Sequence, residues 1–288
     1  MTTCKESNET RLKNSSDTRV RPFFQNLLYR DASGLSWLTK LIKLAPQNRD
    51  LASNMAIMNC RILDQLVDES KNDRPKCFEL SVAPSEVFLR WLIEHPERLR
   101  VPENFGTKDK EKRENRKCLQ GEYGVQRQQE KMKEAINLLN EKGVQGSGKQ
   151  WWAFEGFTRV DCLLETDEFI LGIEGKRTDT VSSKIAWFPQ RNQIVRNLEA
   201  IKEKAGSKSY AVILMNKDGK DPITDTDFTY SLPHYSTQEI AEIRTHYLGA
   251  VSWRQACDAV GFDYSDLPDT IRDVCQPNKN LKNQAKMI

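Results

Sequence analysis

Two neighbouring strand-like segments carry acids and a lysine at spacings that suit metal-assisted hydrolysis. Residues 159–165 read as a strand that contains Asp161, and residues 168–174 read as a second strand that ends in Glu174. Lys176 follows two positions later, and because side chains alternate along a strand, it shares a face with Glu174. The acid-x-lysine triplet occurs elsewhere in the chain, but only this one ends an apolar strand that follows another acid-bearing strand.

A tight hairpin would bring the two acids together. With residues 166–167 at its tip, Asp161 faces Gly172, and Glu174 is its diagonal neighbour, about 7–8 Å away at the backbone. Two carboxylates at this separation can lean onto one divalent cation, and oxygen ligands without His or Cys favour Mg²⁺ or Mn²⁺. Lys176 could then hold the attacking water or offset charge at phosphorus. The same residues could instead form an ordinary salt-bridged surface hairpin.

The elements that must position these residues follow the order α-β-β-β-α-β. Apolar periodicity and turn residues predict a helix over 122–140, strands over 151–157, 159–165 and 168–174, a helix over 189–204 and a strand over 209–215. This order predicts an α/β fold with a mixed central sheet flanked by helices, plus helical additions at both ends.

Motif and element order together resemble the PD-(D/E)xK nuclease superfamily, which has the restriction-endonuclease-like fold. The resemblance covers about residues 121–215. It implies Mg²⁺-dependent cleavage of nucleic acid, with Asp161 and Glu174 as ligands of Mg²⁺ (or Mn²⁺) and Lys176 as the catalytic lysine. Val160 stands where the family commonly has proline before the aspartate.

Many members of this superfamily place polar residues on the helix that follows the lysine strand. In this chain Gln193 and Asn197 are one helical turn apart beside the apolar face, so both can reach the site, and Gln193 is expected to take part in catalysis. Arg191, Arg196 and Asn197 are expected to contact substrate, arginine being suited to bidentate binding of phosphate. The alternative is a solvated helix face without chemistry.

Many members also add an acid from the first helix. Glu122 flanks the apolar face of the predicted helix, whereas Glu130 and Glu134 point away from it. Glu122 is therefore the candidate, although a glutamate in a first turn could equally do no more than complement the helix dipole.

Composition limits the other functional classes. The 288 residues are 38% hydrophobic, which is enough for a packed core, and no apolar run reaches the roughly 20 residues of a membrane span. The polar N-terminus predicts no secretory signal. Seven cysteines without a C-x-x-C pair and three distant histidines argue against an ordinary zinc site and favour reduced thiols in the cytoplasm.

The chain divides into segments of different character. The expected divisions are a disordered tail (1–20), a helical region (21–106, with helices over 51–67 and 84–94), a basic linker (107–120), a nuclease core (121–234), a second helical region (235–275) and a tail (276–288). The linker could contact phosphate, but its mixed charges favour a solvated segment. Two capping boxes, Ser236 with Glu239 and Ser252 with Gln255, predict two C-terminal helices, for which packing is favoured over a DNA-reading helix-turn-helix.

These observations favour a Mg²⁺-dependent endodeoxyribonuclease whose partner is nucleic acid, with DNA preferred and no membrane involved. A homodimer is compatible with this function. The net charge of +3 is by itself too small to indicate a nucleic-acid binder. The sequence also leaves open whether the substrate is DNA or RNA, whether it is single- or double-stranded, and at which sequence it is cut. Two alternatives remain: a non-catalytic nucleic-acid-binding or interaction protein that keeps the fold, and a phosphoesterase for small nucleotides.

Overall fold

A five-stranded mixed sheet forms the centre of the protein. The structure, a computed structural model, describes residues 15–47, 54, 59, 61–63, 77–100, 110–147, 155–178, 180–183, 185 and 188–268. The strands lie side by side in sequence order: β1 (Phe78–Val82), β2 (Thr158–Glu165), β3 (Phe169–Gly175), β4 (Ser209–Asn216) and β5 (Tyr247–Ser252). In this sheet β2 is antiparallel to both of its neighbours, β1 and β3, and β4 and β5 run parallel to β3.

Helices cover both faces of this sheet. A π-helical turn, Ser16–Val20, leads into the helices, which are α1 (Arg21–Arg30), α2 (Leu38–Leu44), α3 (Glu86–Glu94), α4 (Lys110–Leu119), α5 (Val125–Ser147), α6 (Gln193–Ala205), α7 (Asp225–Ser231), α8 (Thr237–Thr245) and α9 (Trp253–Val260). The predicted class, an α/β fold with a mixed sheet flanked by helices, is confirmed. In the part of the chain that the structure describes, no helix is both long and apolar enough to cross a membrane.

The central strand β3 is buried on both faces, as a parallel-sheet strand between helical layers must be. Phe169, Leu171 and Ile173 pack into the core that includes α1, α2 and α9. On the opposite face, Ile170 belongs to the core built around α6, α7 and α8. Gly172 lets α6 approach closely, because a Cβ atom there would lie 2.2 Å from a side-chain carbon of α6.

Local sequence signals place several helices correctly. The hydroxyl of Ser85 caps α3, the side chain of Asn192 caps α6, and both predicted capping boxes begin helices, at Ser236 for α8 and at Ser252 for α9. Gly261 ends α9 in the left-handed conformation, as its position predicts.

The first strand of the sheet was predicted wrongly. Residues 155–157, the described part of the strand predicted over 151–157, form no strand, and 151–154 lie outside the described residues. Its place beside β2 is taken by β1, which comes from the region predicted to be helical. In that region the helix predicted over 51–67 lies mostly outside the described residues, and Ile62 within it forms a β-bridge with Thr166 instead.

The predicted divisions of the chain do not separate structural units. The sheet includes β1 from the region 21–106 and β5 from the region 235–275. Since β5 lies between α8 and α9, these helices form no helix-turn-helix. The predicted linker 107–120 contains the helix α4, which buries Cys118 and Leu119, and residues 16–20 of the predicted tail are helical.

Candidate active site

The β2–β3 hairpin brings Asp161 and Glu174 together in a register that differs from the predicted one. Its tip lies one position later, at residues 167–168, and Cys162 lies opposite Ile173. Continuing this register places Asp161 directly opposite Glu174, so the predicted diagonal arrangement is wrong. Each residue of β2 therefore lies opposite a residue of β3 that is two positions later than predicted. Because side chains alternate with a period of two, this register still places both acids on one face.

The Glu174 carboxylate is buried and held on both oxygens. Only 1% of the residue is exposed to solvent. Its Oε1 accepts a hydrogen bond from Gln193 Nε2 at 2.6 Å and lies 2.9 Å from Lys176 Nζ. Its Oε2 accepts from Asn197 Nδ2 at 2.9 Å. Three neighbours therefore fix the orientation of this carboxylate.

Asp161 is the like-charged neighbour of Glu174. It is partly buried, and its Oδ2 accepts the backbone N–H of Gly175 at 2.9 Å. Burial first, and the nearby Asp161 second, raise the pKa of Glu174 to about 8, although Lys176 and Asn197 act in the opposite direction. An added cation between the two carboxylates would offset both unfavourable effects.

The two carboxylates fit a hard divalent cation such as Mg²⁺ or Mn²⁺. They come from adjacent strands, Asp161 binds the backbone N–H next to Glu174, and the Glu174 carboxylate is already oriented by hydrogen bonds. Across the described ranges there is no group of three or more His, Cys, Asp or Glu side chains that could hold a metal. A bound Mg²⁺ would therefore draw its remaining ligands from water and substrate oxygens, as this ion commonly does.

Lys176 is placed by contacts from distant parts of the chain. Its backbone N–H donates to Met215 O at 2.7 Å, and its carbonyl accepts from Trp253 Nε1 at 2.8 Å. One residue earlier, the Gly175 carbonyl accepts from Ser15 Oγ at 2.6 Å. The end of β3 is therefore fixed in space, with the Lys176 side chain 11% exposed beside Glu174.

The first turns of α6 supply the two amides that bind Glu174. Gln193, predicted as a catalytic residue, lies in the site, and its Oε1 accepts the backbone N–H of Ser182 at 3.5 Å. Asn197 reaches the site, as predicted, but it is 1% exposed and binds Glu174, so its buried amide has no surface for the predicted contact with substrate. Thr158 Oγ1 donates to Asn197 Oδ1 at 2.6 Å.

The prediction that Arg191 contacts phosphate is also wrong. The residue is fully buried, and its guanidinium pairs with Glu155 at 2.9 Å and with Glu199 at 2.5 Å. It also donates to Ser231 O at 2.8 Å and stacks 3.8 Å above the ring of Phe88. Burial alone would lower the pKa of Arg191, but the two glutamates outweigh it and raise that pKa above its usual value. Arg191 is therefore a structural residue.

Arg196 holds the segment that enters β2. It donates to the carbonyls of Gly156 at 3.0 Å and Phe157 at 3.3 Å, and it lies 3.2 Å from Glu155. Its side chain keeps 19% of its surface exposed, so a phosphate contact by Arg196 stays a prediction.

The structure does not bring Glu122 to the two acids. Glu122 is exposed in the turn before α5 and lies 3.5 Å from Lys117, while α5 packs against α3 and α4. A helical segment from the start of the described chain, Ser16–Val20, does contact β2 and β3, and its acid, Asp17, lies 3.0 Å from Arg21. Sequence reasoning missed this segment because its polar composition resembles a tail.

Thr158 and Trp253 are two further residues of the site that sequence reasoning missed. No signal pointed to Thr158, because regular alternation along the strand would place it with Val160 on the face opposite Asp161. None existed for Trp253, whose link to Lys176 joins positions 77 residues apart.

The chain was compared with known protein families, with curated proteins and with solved structures. None of these comparisons finds a match. The chemistry assigned to this site therefore rests on the geometry of Asp161, Glu174 and Lys176.

Proposed function

We propose that this chain is a metal-dependent nuclease that hydrolyses phosphodiester bonds in DNA and is similar to the PD-(D/E)xK superfamily. The observation that carries the proposal is a buried Glu174 carboxylate 2.9 Å from Lys176, with Asp161 bound at 2.9 Å to the backbone N–H of the next residue, Gly175. The segment β2-β3-α6-β4 supports it, because it follows the predicted order and β4 lies parallel to β3, whereas the third antiparallel strand, β1, comes from earlier in the chain.

Each residue of the site has a distinct role in this proposal. Asp161 and Glu174 would hold Mg²⁺ (or Mn²⁺), which when bound polarises a phosphoryl oxygen and activates water. Lys176 presents an ammonium group beside Glu174, where it can orient the attacking water or stabilise negative charge that develops on the phosphate. Gln193 keeps Glu174 in its orientation through the 2.6 Å hydrogen bond.

The principal test is cleavage of supercoiled plasmid in the presence of Mg²⁺. We expect cleavage by the wild-type protein and a loss of about 100-fold or more in Asp161→Asn, Glu174→Gln and Lys176→Met. The matched controls are Glu165→Gln and Lys208→Met. Glu165 lies near the tip of the hairpin and forms an ion pair with Lys208 at 2.8 Å, away from the two acids. Removing this ion pair should leave cleavage unchanged.

Equal cleavage by the wild type and by all three site variants would contradict this assignment. Parallel reactions with single-stranded DNA and with RNA identify the substrate. Binding of nucleic acid that depends on a metal but gives no product with any of these substrates would favour the alternative, a non-catalytic nucleic-acid-binding protein that keeps the fold.

A further inference from the structure

A chain of two hydrogen bonds joins the start of β2 to the Glu174 carboxylate. Thr158 Oγ1 donates to Asn197 Oδ1 at 2.6 Å, and Asn197 Nδ2 donates to Glu174 Oε2 at 2.9 Å. These three residues are 5%, 1% and 1% exposed, so solvent cannot substitute for either bond. Thr158 also lies on the strand that carries Asp161. The two hydrogen bonds therefore connect α6 both to Glu174 and to the strand of Asp161.

The hydroxyl of Thr158 satisfies the carbonyl oxygen of the Asn197 amide. Without this donor, Asn197 Oδ1 would be a buried acceptor with no partner, which is unfavourable enough to turn or displace the amide. An amide that has turned would present its oxygen to the Glu174 carboxylate, and two acceptors repel each other. The direction of the Asn197 amide therefore depends on Thr158.

The corresponding support for Gln193 is weaker. Its Oε1 accepts the Ser182 backbone N–H at 3.5 Å, the upper limit for a hydrogen bond, and Ser182 is exposed. Of the two amides that bind Glu174, Asn197 is therefore the one whose orientation is firmly set by a third group.

We propose that Thr158 is a positioning residue of the metal site, which acts through Asn197 to keep Glu174 oriented for sharing a divalent cation with Asp161. This inference rests on the proposed function of the site. Partners that orient metal ligands through a second layer of hydrogen bonds commonly change metal affinity by about 10–100-fold when they are removed.

The test compares Thr158→Val, which keeps the size of the side chain but removes the hydroxyl, with Thr158→Ser, which keeps the hydroxyl. The matched control is Thr166→Val. Thr166 is also fully buried, and its hydroxyl binds the Phe169 backbone at 2.8 Å at the opposite end of the hairpin. Mn²⁺ affinity is measured by titration calorimetry, and Tm is measured without metal for every variant.

We expect Thr158→Val to weaken Mn²⁺ binding by about 10–100-fold and Thr158→Ser to bind within about threefold of the wild type. Thr166→Val should lower Tm without changing Mn²⁺ affinity. Wild-type affinity in Thr158→Val would overturn the proposal, and so would equal losses of affinity in Thr158→Val and Thr166→Val.

A second readout needs no metal. In protein labelled with ¹⁵N-asparagine, the side-chain amide protons of Asn197 should exchange with solvent about tenfold faster in Thr158→Val than in the wild type or Thr158→Ser. A wild type that neither binds Mn²⁺ nor cuts nucleic acid would overturn the proposed function. Faster amide exchange in Thr158→Val would then still show that the Thr158 hydroxyl orients the Asn197 amide. Unchanged exchange would overturn that role of Thr158.

Discussion

At the scale of single residues, the site is governed by the protonation of Glu174. Its carboxylate is buried beside Asp161, and these two effects raise its pKa from 4.5 to about 8 even though Lys176 is 2.9 Å away. Between pH 4.5 and about pH 8, this pKa leaves the carboxylate ionised in the unfolded chain and protonated in the metal-free folded protein. A divalent cation requires the ionised form, so binding of the cation must release a proton.

This protonation predicts a pH dependence of metal binding. Below pH 8 the affinity for Mn²⁺ should rise about tenfold for each unit of pH, and above that value it should level off. In Asp161→Asn, which lacks the neighbouring negative charge, the pH at which the Mn²⁺ affinity stops rising should be lower. Titration calorimetry between about pH 6 and 9 measures both curves. An affinity that is constant below pH 8 would show that Glu174 is already ionised.

At the scale of elements, the close contact between β3 and α6 sets the distance from Glu174 to its two amides. A Cβ atom at Gly172 would lie 2.2 Å from Ile201 Cδ1 and 3.3 Å from Val212 Cγ2. The helix can bind the buried carboxylate only because the strand has no side chain at this point.

Gly172→Ala is therefore expected to destabilise the protein by about 1–3 kcal/mol. Adding Ile201→Val, which removes the clashing Cδ1 atom, should recover part of this loss, so the double variant is more stable than the sum of the single effects predicts. Denaturant unfolding gives these free energies. The control is Gly156→Ala, where no atom of the described residues lies within 4 Å of the added methyl group and little change is expected. Additive effects of the two changes would argue against the clash.

The buried ion cluster around Arg191 fixes the entry to β2 against the start of α6. Arg191→Met should lower the free energy of unfolding by about 3–5 kcal/mol, because it removes the cation that the buried Glu155 and Glu199 share. Glu155 then keeps only Arg196 at 3.2 Å, and Glu199 keeps only His234 at 2.6 Å, among the ion pairs of the described residues. Arg244→Met, which removes an exposed pair with Asp225, should cost less than about 1 kcal/mol. Similar losses in the two variants, measured by denaturant unfolding, would contradict this assignment.

The elements that sequence reasoning predicted are those with local signals. The apolar stripe of α6, the capping boxes of α8 and α9 and the alternation of the β2–β3 hairpin all lie within short stretches of sequence. The strand β1 has no such signal, because β2, with which it pairs, begins at residue 158, far along the chain. The burial of Arg191 could not be predicted from local sequence either, because its partner Glu155 is 36 residues away.

At the scale of the whole molecule, the sheet joins the beginning, middle and end of the described chain. The segment predicted as the nuclease core, 121–234, lacks both β1 and β5. It also lacks α1 and α9, which contribute to the core that covers Phe169 and Ile173.

A fragment comprising residues 121–234 is therefore expected not to fold. It should show no cooperative thermal transition by near-ultraviolet circular dichroism and no Mn²⁺ binding, whereas the full chain should show both. Exposure of the apolar face of β3 is the physical reason, since that face would have no helices to pack against. A fragment that unfolds cooperatively would show that the predicted core is an independent domain.

The end of β3 is held by Ser15 and Trp253, which lie 160 residues before Gly175 and 77 residues after Lys176. During synthesis on the ribosome, Trp253 emerges long after the acids and the lysine have been made. A nascent or prematurely terminated chain that stops before this tryptophan lacks the contact that fixes the Lys176 backbone. The hydrolytic activity proposed for the site is therefore expected to appear only after β5 has been synthesised, which would spare nucleic acid near the ribosome from incomplete chains.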